Sequence, residues 1–176
     1  TDEGLFKWFS ELIEKAVPQG KHLIGYHIPA ATGIGFSLDL LERLKEKFPN
    51  QFAGIKDSSH DEAFAAALGQ RFGKELLVLN GTDSYFHHAL KNHAQGAITA
   101  PANLISDNLR EVWDLYQEGK DPSEMQAKVT EQRHVLENYS PIAPVLKGLL
   151  HKIHGLPQWA VRPPLEGLDE KTLEDA

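Results

Sequence analysis

The sequence predicts an α/β fold in which helices cover a parallel sheet. Short apolar runs alternate with amphipathic helical stretches. The runs are continuously apolar rather than alternating, the pattern of strands in a covered parallel sheet. HLIGYHIP, FAGIKDSS, ELLVLNG and GAITA are the four strand candidates. Two architectures fit them, an open doubly wound sheet or part of a (β/α)8 barrel. Both place functional residues at the carboxyl ends of the strands.

Each element has a local reason. Leu5, Trp8, Phe9, Leu12, Ile13 and Ala16 recur at helical spacing behind Asp2 and Glu3, whose charges suit the positive end of a helix dipole. Pro18 and Gly20 stop that helix, and HLIGYHIP reads as a strand ended by Pro29. ATGIGFS is a loop. Ser37 then caps a helix with the stripe Leu41, Leu44 and Phe48, closed by Pro49 and Asn50. After FAGIKDSS, a helix over residues 61–72 runs through Phe64, Ala67 and Leu68 and ends near Gly73. ELLVLNG is followed by a helix over residues 84–92 and then by GAITA. Leu109, Val112, Trp113 and Tyr116 mark a helix stopped by Gly119, and the spacing predicts two more over residues 123–138 and 141–154. No Ser/Gly-rich linker intervenes, so residues 1–105, with the βα units, and residues 106–176, a helical extension, are read as one domain.

Composition removes several function classes. The chain has 176 residues, 41% hydrophobic and 24% charged, enough for a real core. With 18 Lys+Arg against 25 Asp+Glu the formal charge is -7, and no basic stripe exists to neutralise phosphates. Neither nucleic acid nor a membrane is expected as a partner. No apolar run approaches the ~20 residues of a membrane span, and TDEGLFKWFSE is not a signal peptide, so the cytoplasm is the expected location. The absence of cysteine removes thiolate catalysis and cysteine-zinc sites. His87, His88 and His93 lack the spacing of a helical ligand pair, and no metal is expected. The chain opens at Thr1 directly in a helical pattern, as a piece of something longer would.

At the strand ends lie Tyr26, Lys56, the NGTD stretch from Asn80 to Asp83, and Ile98 with Thr99. A lysine buried at such a place loses its proton more readily, and the neutral amine can attack a carbonyl to form an iminium. The neighbouring carbon then becomes acidic, so a C–C bond there can be made or broken. Tyr26 could shuttle protons to the departing oxygen. Position alone favours a plainer reading, Lys56 as a snorkelling lysine or a partner of Asp57, and Tyr26 as a half-buried tyrosine with a satisfied hydroxyl.

YHIPAATG, GIKDSS, NGTD, GAITAPAN and RPPLEGL follow one another from Tyr26 to Leu168. This ordered series resembles that of the dihydrodipicolinate synthase and N-acetylneuraminate lyase family, the class I pyruvate-using aldolases built on a (β/α)8 barrel. The resemblance implies an α/β fold that is the second half of such a barrel, strands five to eight, with extra C-terminal helices. It implies that Lys56 forms the Schiff base with pyruvate or a 2-keto acid and that Tyr26 belongs to the proton relay. Gly81 and Ile98 match positions whose backbone lies near the keto acid, Thr32 and Asp83 fall where relatives meet the rest of the substrate, and Asn103 matches a structural position. Ser58 has no nucleophile-elbow pattern and is read as facing the substrate. No cofactor is implied. The implied partners are pyruvate or a 2-keto acid, an aldehyde, the missing N-terminal half of the barrel, and further copies in a dimer or tetramer.

Departures from the pattern bear on the substrate. Ala31 stands where dihydrodipicolinate synthases usually place an arginine, and Ala100 where sialic acid lyases tend to have serine. The pattern is closest to 2-keto-3-deoxy-sugar-acid aldolases. Dihydrodipicolinate synthase and a noncatalytic half-barrel that needs a partner half remain the alternatives. His27, where asparagine is usual, has no reading from the sequence. The family's Gly-Thr-Thr region belongs to the missing half, so the 176-residue chain alone is expected to be inactive.

Overall fold

A computed structural model describes residues 1–139 and 141–175. They fall into two compact units, Thr1–Ile98 and Thr99–Ala176.

In the first unit, α1 (Asp2–Ala16) is capped by the Thr1 hydroxyl, which accepts from the Gly4 amide at 3.2 Å. Next come β1 (Leu23–His27), the single turn α2 (Pro29–Thr32) and α3 (Leu38–Lys47), whose cap Ser37 accepts from the Leu40 amide at 3.0 Å. β2 (Phe52–Asp57) leads to α4 (Glu62–Phe72), capped by Asp61 through the Phe64 amide at 2.9 Å. β3 (Leu77–Asn80) is followed by a 3₁₀ turn (Asp83–Tyr85) and α5 (Phe86–Lys91). The three strands are parallel in the order β1-β2-β3, with Tyr26 opposite Lys56 and Lys56 opposite Leu79.

The expected α2 region was a loop, and the expected fourth strand is shorter than a strand. Pro29, at the first turn of α2, has its φ already set for a helix, and Gly33 ends the turn at a left-handed φ of 69°. GAITA forms only an isolated parallel bridge between Asn80 and Ala97. The Asn80 amide donates to Gly96 O and the Ile98 amide to Asn80 O, both at 2.9 Å. Gly96, at φ 156°, begins this stretch, and Pro101, at helical φ, leads straight into the next helix, so the ladder has no length to grow. The helix expected over residues 84–92 is divided into the 3₁₀ turn and α5.

The two faces of the sheet differ. Gly25, Ile55 and Val78 share one register level, and Ile55 and Val78 pack into a core with Ile13, Phe36, Leu41 and Leu68 from the helices and the 33–37 loop. Fully burying each large apolar side chain there contributes about 1.5–3 kcal/mol. On the opposite face Ile24, Tyr26 and Leu77 remain 42%, 49% and 39% exposed. Helices therefore cover one face of the sheet, as on the outside of a barrel, and leave the face carrying Lys56 open.

The second unit is helical: α6 (Ala102–Gln117), α7 (Ser123–Glu137), α8 (Ile142–His154) and the unexpected short α9 (Glu170–Asp175). Leu136, Val145, Leu146 and Leu149 form its core with Leu104, Ile142 and Leu168 packed against them. Leu173 of α9 lies so close to Gly148 that a methyl group there would overlap it, which is how a six-residue helix finds its seat. Among the described residues no helix is long and apolar enough to cross a membrane.

Candidate active site

The parallel ladder brings Tyr26 and Lys56 together because residues at the same level of neighbouring strands point to the same face. Lys56 Nζ stands 4.0 Å from the centroid of the Tyr26 ring, a cation–π distance. Lys56 and Ser58 are the polar side chains that act on the Tyr26 hydroxyl. Burial alone would raise its pKa, but the polar pull of Lys56 and Ser58 and the positive charge of Lys56 together hold the phenol below its ordinary value of 10.0. Lys56 itself is partly exposed rather than enclosed in apolar surroundings as its strand suggested, because it stands on the open face.

Main-chain contacts just beyond the strands build the floor of this cluster. The Ser58 amide donates to His27 O at 2.8 Å, continuing the ladder one step past β2. Ser58 is buried, and its side chain acts on the acidity of Tyr26. The Gly81 amide donates to Asp57 O at 2.7 Å. A Cβ at Gly81 would overlap Ser58 Oγ and stand 2.6 Å from Asp57 O, so only glycine lets β3 come this close.

The buried ring of His27 faces the other side of the sheet. Its Nδ1 accepts from the Phe36 amide at 2.9 Å, its Nε2 is 4.0 Å from Asp57 Oδ1, and the ring stacks on Phe64 at 4.5 Å between centroids. Asp57 Oδ1 also accepts from the Ser59 amide at 3.0 Å. Burial lowers the His27 pKa from 6.5 and outweighs the opposing charges of Asp57 and Asp61.

The remaining expected site residues are placed differently from one another. Thr32 is exposed at the end of α2, with its hydroxyl directed to Ile28 O at 3.0 Å and Ile34 O at 2.5 Å. Gly81 and Ser58 meet Tyr26 and Asp57 as described, and Ile98 is 50% exposed. Asp83 is fully buried at the head of the 3₁₀ turn, which gives it no open surface toward a ligand in this chain. Beside Tyr26 lies a concavity of about 400 Å³, walled by Leu5, Trp8, Phe9, Tyr26, Thr32 and Ile34. Lys56 is not part of its wall. Among the described residues no three His, Asp or Glu side chains gather as a metal site would require. The sequence offered no signal for the His27 contacts, since the acceptor's partner lies nine residues away on an irregular loop.

The sequence pattern of the dihydrodipicolinate synthetase family matches residues 1–176. An uncharacterized DapA-like lyase of Chloroflexus aurantiacus is 31% identical over 164 residues, 93% of this chain and 54% of that protein. A 4-hydroxy-tetrahydrodipicolinate synthase of Thermus thermophilus is 35% identical over 103 residues, 58% of this chain and 33% of that protein. The crystal structure of dihydrodipicolinate synthase from Agrobacterium tumefaciens superposes with a TM-score of 0.81 at 30% identity, over 99% of this chain and 58% of that one. Ruminococcus gnavus sialic acid aldolase, at 22% identity and a TM-score of 0.87, shares the fold over 99% of this chain and 58% of its own. The chain thus spans about half the length of the curated relatives it matches.

Proposed function

The chain belongs to the dihydrodipicolinate synthetase family, and from that premise we propose that it is the lysine-bearing second half of a (β/α)8-barrel class I aldolase. The observation that carries this reading is the pairing of Lys56 and Tyr26 at one level of the parallel ladder, with Lys56 Nζ over the Tyr26 ring. In the proposed reaction the neutral Lys56 amine attacks the keto carbon of pyruvate or a 2-keto acid, forming a C–N bond. The carbonyl oxygen takes one proton from the attacking nitrogen and a second from Tyr26 and leaves as water, and an iminium remains. Loss of a proton from the adjacent carbon gives an enamine that adds to an aldehyde. The reverse order cleaves the bond.

The substrate of this reading is a 2-keto-3-deoxy sugar acid, supported by Ala31 and Ala100, which leave the substrate loop without a guanidinium and the strand end small. The 35% identity to a 4-hydroxy-tetrahydrodipicolinate synthase favours a second reading, condensation of pyruvate with aspartate semialdehyde, against which Ala31 stands. Either reaction requires the rest of the barrel. The exposed Ile24, Tyr26 and Leu77 support this, because the interior of a small barrel is filled with side chains. Further copies of the whole protein complete the proposed assembly.

Borohydride reduction of the barrel-complete protein with pyruvate tests the proposal. It should leave one pyruvate-derived mass on Lys56 and none on a Lys56→Ala variant. A folded, complete protein without that adduct refutes the mechanism. Turnover of 2-keto-3-deoxygluconate against aspartate semialdehyde separates the two substrates.

A further inference from the structure

We propose that His27 is a positioning residue that latches the 33–37 loop, and with it Thr32, to the carboxyl end of the lysine strand. Three contacts define the latch. Nδ1 accepts the Phe36 amide at 2.9 Å, Nε2 faces Asp57 Oδ1 at 4.0 Å, and the ring lies flat on Phe64 with an interplanar angle of 16°. Gly35 completes the fit, because a Cβ there would stand 2.5 Å from Cε1 of the ring. One imidazole thereby joins a loop, a strand end and the first turn of α4, and only 6% of it is exposed.

The chemistry dictates the protonation state. Nδ1 can accept from Phe36 only when it carries no proton, so the single ring proton sits on Nε2, directed at the Asp57 carboxylate. A second proton must go to Nδ1, where it would meet the Phe36 N–H, donor against donor. Asp57 of β2 and Asp61 at the head of α4 are the charged groups facing the ring. The loop residues 33–37, Gly-Ile-Gly-Phe-Ser, contribute no titratable side chain. Burial favours the neutral ring over the pull of the two carboxylates, which keeps the latch closed at neutral pH. Protonation opens it and frees the segment after Thr32, while Asp57 and the β2 end stay tied by the Ser59 and Gly81 amides.

Asparagine offers a selective test, since its Oδ1 branches from Cγ as Nδ1 does from the imidazole and can accept the same amide without titrating. Hydrogen exchange of the Phe36 amide, followed by NMR from about pH 7.5 to about 5, reads the latch directly. In the wild-type chain, protection relative to intrinsic exchange should be lost progressively toward the acid end of that range. His27→Asn should keep the protection and lose its pH dependence, and His27→Leu should lose the protection throughout. Equal protection in wild type and His27→Leu, or an unchanged pH dependence in His27→Asn, overturns the proposal. The wild-type ring tautomer gives a check that needs no variant: a proton on Nδ1 at neutral pH also overturns it.

The consequence for catalysis rests on the Lys56 and Tyr26 reading above. In the barrel-complete protein, pyruvate trapping at Lys56 should weaken at the acid end of the range in wild type more than in His27→Asn. Absence of trapping in every variant, with Phe36 behaving as stated, refutes the aldolase reading and leaves the latch standing. Trapping with the same pH profile in both proteins refutes the catalytic link.

Discussion

Gly81→Ala puts the floor of the candidate site under a defined load. The added methyl overlaps Ser58 Oγ and comes to 2.6 Å from Asp57 O and 3.0 Å from Ser58 Cβ. Two of these neighbours are held by the ladder, since Asp57 O accepts the Gly81 amide at 2.7 Å and the Ser58 amide binds His27 O at 2.8 Å. The strand ends must therefore separate or the serine must turn. Overpacking of this kind costs about 1–3 kcal/mol, so with a urea slope of about 2 kcal/mol per M the unfolding midpoint should fall by about 1 M. Displacing the Ser58 hydroxyl also weakens one of the two polar interactions that hold down the Tyr26 phenol, so its titration should move upward. Absorbance titration, taken as the difference from a Tyr26→Phe background, reads that second effect. Adding Ser58→Ala relieves the overlap with Oγ but not the approach to Asp57 O, so the double variant should recover part of the stability and none of the Tyr26 shift. A Gly81→Ala protein with the wild-type midpoint and the wild-type tyrosine titration would mean that β2 and β3 are not held together as described.

Further outcomes follow from the same geometry. Lys56→Met should raise the Tyr26 titration by removing a polar partner and a positive charge, and the same absorbance difference measures it. Because the folded pKa of His27 lies below its unfolded value of 6.5, the unfolded chain binds this proton first. The ring's contribution to stability should therefore be complete above that pH and decline as the pH falls toward the lower folded value, seen as a urea midpoint that drops more in wild type than in His27→Asn. Ser37→Ala removes the cap on the Leu40 amide and a hydrogen bond to Asp2, and should destabilise the first unit by about 1 kcal/mol in the same denaturation assay.

The parts of this molecule legible in the sequence are those governed by short-range pattern. The Leu5 to Ala16 periodicity, the Ser37 and Asp61 caps and the three apolar runs became α1, α3, α4 and the three strands. Tyr26 and Lys56 could be paired in advance because parallel strands of similar length end at one rim. What depended on distant partners was not legible. GAITA has the composition of a strand, but the length of a ladder is decided jointly with Asn80 and the start of α6. Lys56 looked buried from its apolar neighbours, yet period-two alternation turned it to the open face. Asp83 gave no hint of complete burial, and His27 no hint that its hydrogen-bond partner would be a main-chain amide on a loop shaped by two glycines.

That last contact has an evolutionary corollary. The latch holds this segment through the Phe36 N–H, a group that any non-proline residue presents, while Gly35 and the buried Phe36 ring fix the fit around it. Ala30, Ala31, Thr32 and Ile34 are all exposed on the segment it anchors. Their side chains can be exchanged without loosening the point of attachment. The residue proposed to fix where this loop sits is thus distinct from the exposed ones beside it, so under the proposed function the exposed positions could change singly while the scaffold stays fixed.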